Sequence, residues 1–281
     1  MNDTLQKLIK IGCKSLRKAK KWYLAYVLSQ LIVLVFAIVS IFKNVNPNFS
    51  AVIAFATVIL AECLRWRSDY WKSEGESAKR RWEVTDGIGT QPDSAHVADW
   101  LAARSTGFLD DVTPEEVSGS VFASKSAPSP RRLVENVQES AWWSKHQSRL
   151  VAVYLSFGLA AILVAFFVAL TASIASLNAG NVLQSGALVQ NIGGIICSVL
   201  MFVFSVNVVR LLVDFCTFFF AAKDVVNRCE VFLKLPQIDE LSAFELMHDY
   251  QAKRSSAPMI PTFIWKFHGS HLREQWTHYR P

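Results

Sequence analysis

Seven cations and three tryptophans stand in four short clusters along this sequence: Arg80-Arg81-Trp82, Arg131-Arg132, Trp142-Trp143 with Lys145, and Lys253-Arg254. Guanidinium and ammonium groups pair with phosphate or carboxylate oxygens, and indole faces stack on planar rings. Together they are the chemistry of binding an anionic, ring-bearing ligand. Each cluster also has a structural use, since tryptophans form interfacial belts and lysines and arginines fix the orientation of a membrane span. Patterns for bond-breaking chemistry are missing. Gly87-Ile88-Gly89 follows no strand and lacks a third glycine, so it reads as a turn. His268 and His271 have no Cys, Asp or Glu at ligand spacing, and no Ser, Cys or Thr lies in a nucleophile motif. The five cysteines, Cys13, Cys63, Cys197, Cys216 and Cys229, show no CxxC spacing. The expectation is a binding protein with no catalytic residues, no metal and no cofactor.

The elements that must hold these clusters are set by hydropathy. Hydrophobic residues make up 52% of the chain, more than an ordinary soluble domain carries. They concentrate in blocks at Tyr23 to Phe42, Phe49 to Leu64, Leu150 to Ala172 and Ile192 to about Arg210. A helix needs about 20 apolar residues to cross a bilayer, and all but the second block reach that length. The second is separated from the first only by Lys43 to Asn48, a link that allows a hairpin and little else. The fold class expected is therefore an all-α membrane protein with four transmembrane helices arranged as two hairpins.

Charge orients it. Met1 to Trp22 carries Lys7, Lys10, Lys14, Arg17, Lys18, Lys20 and Lys21 against Asp3, a net +6 that equals the charge of the whole chain. The link after the first block has Lys43 alone, and Ile174 to Gln190 has no charged residue. Positive flanks stay inside, which places both termini and the middle region in the cytoplasm. The same rule, with attraction to anionic lipid, accounts for a pI near 9.1 before nucleic acid is invoked. The amino-terminal segment lacks signal-peptide design, so no cleavage is expected. The regions are then 1–22, a basic helix; 23–66, the first hairpin; 67–149, a cytoplasmic helical domain; 150–210, the second hairpin; and 211–281, a helical extension and tail.

Three helices should leave the membrane without a break. The second continues past Glu62 to end near Asp86. Another begins near Pro130 and runs into the third span, and the fourth span continues through Asp214 towards Leu233. Between them, Asp93 and Ser94 cap a short helix through Arg104 with Val97, Trp100 and Leu101 inward, and 107–130 is loop with one short helix after Pro114. An amphipathic helix from Asp239 to about Arg254 would bury Leu241, Phe244, Met247 and Tyr250. Within the spans, Gly158, Ala161, Ala165 and Ala169 form a small-residue packing stripe, whose partner is a helix of the same chain or of a neighbouring subunit. Asn207, Arg210 and Asp214 share one face of the fourth helix, either as an interfacial anchor with an intrahelical pair or as a polar ring at the inner mouth of a pore. Glu62 has the same two readings, with Arg65 or Arg210 as partner.

The segments "ENVQESAWWSKHQSRL" and "NVVRLLVDFCTFFFAAKDVVNRCEVFL", set behind a basic helix, a tight hairpin and a helical insert, resemble a known bacterial family. It is the group of four-transmembrane effectors found beside nucleotidyltransferases in anti-phage operons, the SMODS-associated effectors, with Hailong-type channel effectors as the nearest branch. The resemblance covers about residues 5 to 235. The tail from "HDYQAKRSSAPMIPTFIWKF" is similar to tails of a longer subgroup. What the resemblance implies is a homo-oligomeric channel of the bacterial inner membrane, gated by a nucleotide or DNA-oligomer signal from a partner nucleotidyltransferase. Its action would depolarise the membrane and arrest growth. One branch is held shut by its ligand and the other opened by it. The competing expectation is a non-conducting anchor that recruits a cytoplasmic partner through the middle region and Pro258-Met259-Ile260-Pro261. A small-molecule carrier ranks third because polar residues in the spans are scarce.

Overall fold

The computed structural model describes residues 3–43, 47–91, 94–105, 107–114, 117, 122–178, 192–200, 203 and 207–279. Among the described residues every regular element is helical. Helix α1 spans Asp3–Lys43, α2 Pro47–Ile88, α3 Ser94–Ala102, α4 Pro130–Asn178, α5 Val208–Leu233, α6 Glu240–Ser256 and α7 Thr262–Tyr279. A further helical stretch covers 192–200.

Length follows from what the sequence omits. Helix α1 runs for 41 residues with no proline and one glycine, and α4 for 49 residues with proline only at its first position. There the missing N–H would be unpaired in any case, and the Ser129 hydroxyl caps the turn by accepting from the Arg132 N–H at 3.3 Å. Helix α2, of 42 residues, likewise starts on Pro47. It ends at Ile88, one half-turn beyond the expected stop at Asp86, because the backbone turns only at Gly89, whose φ of +84° suits glycine. Helix α3 stops at Ala102, short of Arg104, and Asp93 lies outside the described residues.

Among the described residues, two helices, α1 and α4, are long and apolar enough to cross a membrane. The chain divides into two compact units. The first contains Met1–Lys21, Arg67–Leu150 and Asp214–Pro281, and the second Trp22–Trp66 and Val151–Val213.

The second unit turns hydrocarbon outward. Ile32, Val52, Phe55, Phe157, Val164, Phe167 and Val168 are each more than half exposed. Five of its hydroxyls are satisfied within their own helices: Ser29 donates to the Tyr26 carbonyl, Ser40 to Phe36, Thr57 to Ile53, Thr171 to Val168 and Ser198 to Gly194, all within 3.0 Å. Back-bonding of this kind removes the need for water as a partner.

The first unit has a conventional interior. Leu133, Val134, Val137 and Ala141 of α4 pack with Val225, Val226 and Cys229 of α5, with Ala243, Leu246 and Tyr250 of α6, and with Leu272 and Trp276 of α7. A second cluster joins Leu8, Ile9 and Ile11 of α1 to Ala78 and Trp82 of α2 and Val97 of α3. Helices α1 and α2 approach closely at Gly12 and Gly75. A Cβ at Gly75 would stand 2.7 Å from Leu16 Cγ, so only glycine fits there.

Two expectations about faces are corrected. Leu241 is 67% exposed, while Met247 and Tyr250 are buried and Phe244 partly buried as expected, joined by Ala243, Leu246, Gln251 and Arg254. Polar side chains that find partners inside outcompete a leucine on the neighbouring stripe. Asn207 does not continue the face of Arg210 and Asp214. Its φ is +54°, a left-handed conformation that asparagine tolerates, and α5 begins after it, with the Leu211 N–H donating to the Asn207 carbonyl at 2.8 Å.

Candidate functional site

Within the first unit, α1, α2, α4, α5, α6 and α7 enclose a cavity of about 870 Å³, within the range of small-molecule sites. Its wall carries five cations, Lys20, Lys72, Lys79, Arg254 and Arg273, and the carboxylates Glu76 and Glu139. Four tryptophans, Trp82, Trp143, Trp265 and Trp276, add flat surface. Trp143 lies 5.2 Å from Trp265 between ring centres, and Trp82 lies 4.9 Å from Phe122.

The charged side of this wall comes from one stripe of α2. Lys72, Glu76, Lys79 and Glu83 are spaced four, three and four apart, which places them on one face of a helix. That face meets Arg254 of α6. Its guanidinium lies 2.9 Å from Glu76 and 3.1 Å from Glu83, with side-chain exposures of 10%, 12% and 4% respectively. Burial opposes the charge of Arg254, but the two carboxylates outweigh it and push the guanidinium pKa up. Gln251 donates to Glu83, and Lys79 lies 3.6 Å from the same carboxylate. Tyr250 continues the network to Ser140 at 3.1 Å and Ser144 at 2.8 Å on α4. Burial pushes the tyrosine pKa up, so the phenol stays neutral and can donate.

The lysines are less fully matched. Lys72 donates to the carbonyls of Ser255 and Ala257, fixing the end of α6. Burial lowers its pKa, with Glu76 and Asp69 acting in the opposite sense. Lys79 is lowered by burial first and then by Arg254. Lys20 makes no ion pair with a described residue, and Glu76 is the carboxylate acting on it. Ammonium groups short of counter-charge, facing a cavity lined by indoles, offer a place for an anionic group carried on a planar ring.

Pro258, Met259 and Ile260 of the expected recruiting segment line this cavity, and of the clustered cations and tryptophans singled out in the sequence, Trp82, Trp143 and Arg254 meet there. The others do not line it. Arg80 is partly buried, and its Nε has no hydrogen-bond partner among the described residues, while Arg81 is exposed. Arg131 caps the end of α5 by donating to the Leu233 carbonyl at 2.9 Å. Arg132 grips Asp86 at 2.7 Å and joins the end of α2 to the start of α4. Trp142 packs in the apolar interior, 5.2 Å from Trp276. Lys145 is partly buried, and Lys253 pairs with Asp249 at 3.1 Å.

In the second unit, Glu62 lies 3.9 Å from Arg65, the nearer of its two expected partners. Arg210 and Asp214 stand in the first two turns of α5. Gly158 has no described neighbour within 4 Å of an added Cβ, and Ala161 and Ala165 are exposed; the side chain of Ala169 lies outside the described residues. Among the described residues, no group of three or more His, Cys, Asp and Glu could hold a metal ion. No family model, no curated protein and no solved structure matches the chain, so the assignment of the site rests on its own residues.

Proposed function

We propose that this protein is a homo-oligomeric membrane effector of anti-phage defence, whose pore is controlled by a nucleotide or DNA-oligomer signal bound in the cavity of the first unit. In this reading the chain crosses the bacterial inner membrane four times as two hairpins, with both termini in the cytoplasm. The observation that carries it is the cavity. Lys20, Lys72, Lys79 and Arg273 suit phosphates, and Trp143 and Trp265 suit bases.

The walls of that cavity stand on α1, α2 and α4, and each of these helices also contains an apolar block. A ligand that draws the charged ends of these helices together therefore acts on the spans through rigid rods rather than through linkers. Differential binding to two arrangements of the helices would set whether the signal opens or closes the pore. Glu62, Arg210 and Asp214 are the polar residues for its inner mouth. The open stripe of Gly158, Ala161 and Ala165 supports close packing against a second copy.

Planar bilayers containing the purified full chain test this reading. Conductance should change when cyclic dinucleotides or short DNA oligomers are added on the cytoplasmic side, and Lys72→Gln with Lys79→Gln should blunt the change. Absence of conductance with and without these ligands would sink the proposal and favour a non-conducting anchor.

A further inference from the structure

A second concentration of cations lies in the first unit, on residues other than those that line the cavity. Trp71 of α2 stacks on Phe108 at 5.8 Å, Trp100 meets Phe108 edge-on at 5.4 Å, and Tyr70 meets Trp71 edge-on at 5.3 Å. Lys18 sits over this aromatic floor, 4.4 Å from the Trp71 ring centre and 4.3 Å from that of Phe108. Arg67 lies 5.6 Å from Trp71, and Arg104 lies 5.2 Å from Trp71 and 4.7 Å from Trp100.

The carboxylates nearby are already committed. Asp111 binds Lys14 and stands 2.9 Å from Arg17, and Glu74 accepts from the Trp100 indole and lies 3.3 Å from Arg104. Neither Lys18 nor Arg67 makes an ion pair with a described residue. The charges acting on Lys18 are Lys14, Arg104, Arg67 and Asp111, three cations to one anion. Arg104 Nε is buried without a hydrogen-bond partner among the described residues. Like charges held this close, on a surface that binds cations through ring faces, leave a site short of an anion.

Chain continuity indicates where that anion comes from. Along α1, Lys18 is five residues before Tyr23, where the first apolar block begins. Along α2, Arg67 directly follows Trp66, just after the second block ends. Cations and tryptophans at the ends of apolar helices belong at the depth of lipid headgroups. We propose that Lys18, Arg67 and Arg104 seat the phosphate of an anionic membrane lipid on the Trp71–Phe108 floor. The proposal rests on the membrane-spanning reading and is independent of any ligand in the cavity.

Native mass spectrometry of the full chain in neutral detergent, titrated with phosphatidylglycerol, phosphatidylcholine or inorganic phosphate, tests it. The wild type should retain phosphatidylglycerol in preference to phosphatidylcholine. Lys18→Gln with Arg67→Gln should weaken that retention by about twenty-fivefold, about fivefold for each cation lost. Lys18→Arg with Arg67→Lys should restore it, and Lys7→Gln, which removes a cation elsewhere on α1, should leave it unchanged. Unaltered retention in the double Gln variant, with helix content and melting temperature preserved, would overturn the proposal. So would complete displacement of the lipid by inorganic phosphate, which would make this a site for free phosphate. Release of the chain from membranes by alkaline carbonate would instead defeat the membrane-spanning reading itself.

Discussion

The first unit keeps Arg254, Glu83 and Glu76 nearly out of water, whereas the second turns Phe55, Phe157 and Phe167 towards its surroundings. In the first, water is the reference solvent, apolar residues hide, and a buried charge persists only with its counter-charges. In the second, hydrocarbon outside costs nothing if the surroundings are hydrocarbon, and polar groups are the ones that must find partners within the helix. One chain therefore follows two burial rules, and the changes fall between residues 21 and 22, 66 and 67, 150 and 151, and 213 and 214.

The largest test of that contrast is Arg254→Met, which strands Glu76 and Glu83. It should cost about 3–5 kcal/mol, read from thermal unfolding in detergent, and Glu83→Gln in the same chain should recover part of the loss. An unchanged melting temperature would mean that the network is not buried in solution. A glycine pair comes next. Gly75→Ala should cost about 1–3 kcal/mol because its Cβ collides with Leu16, while Gly158→Ala, with open space around it, should be neutral or gain up to about 1 kcal/mol of helix propensity. Equal effects at the two sites would erase the distinction between a packed and an open helix face.

Ligand binding probes the charged wall at smaller amplitude. Lys79→Gln should weaken nucleotide binding about tenfold, measured by quenching of tryptophan fluorescence. Because burial lowers the pKa values of Lys72 and Lys79 below 10.5, their ammonium charge is present at low pH and is lost as pH rises through the lowered values. Affinity should therefore fall with rising pH earlier than an ordinary lysine would dictate. The smallest effect belongs to the exposed Asp3–Lys7 pair, 2.6 Å apart, where Lys7→Ala should change stability by no more than about 0.5 kcal/mol.

The long helices were legible because so little interrupts them. Pro130 opens α4, Gly89 closes α2, and the apolar runs between charged flanks need no tertiary information. The short helix α6 was read correctly at Met247, Tyr250 and the partly buried Phe244, and wrongly at Leu241. Leu241 continues the apolar spacing of Phe244 and Met247, but the helix turns Ala243, Leu246 and Arg254 inward with them, and the carboxylate partners of Arg254 lie on α2. The site was legible only where cations and tryptophans adjoin in sequence, as at Trp82, Trp143 and Arg254. Lys20, Lys72, Lys79, Trp265 and Arg273 stand apart in the chain, though the Lys72, Glu76, Lys79, Glu83 stripe was a usable signal: charges at the spacing of a buried face. Arg131 and Arg132 have the composition of a phosphate site but serve as joints between helix ends, because unpaired carbonyls and Asp86 stand within reach.

The Arg254–Glu83 contact spans 171 residues of sequence. During synthesis at about 5–20 residues per second, α2 is complete roughly 8–33 s before its counter-charge is added to the chain. Through that interval Glu76 and Glu83 remain hydrated, and the interface they share with α6 has nothing to close on. Assembly of the first unit is thereby tied to completion of the chain, so a product truncated before Arg254 cannot form the finished cavity.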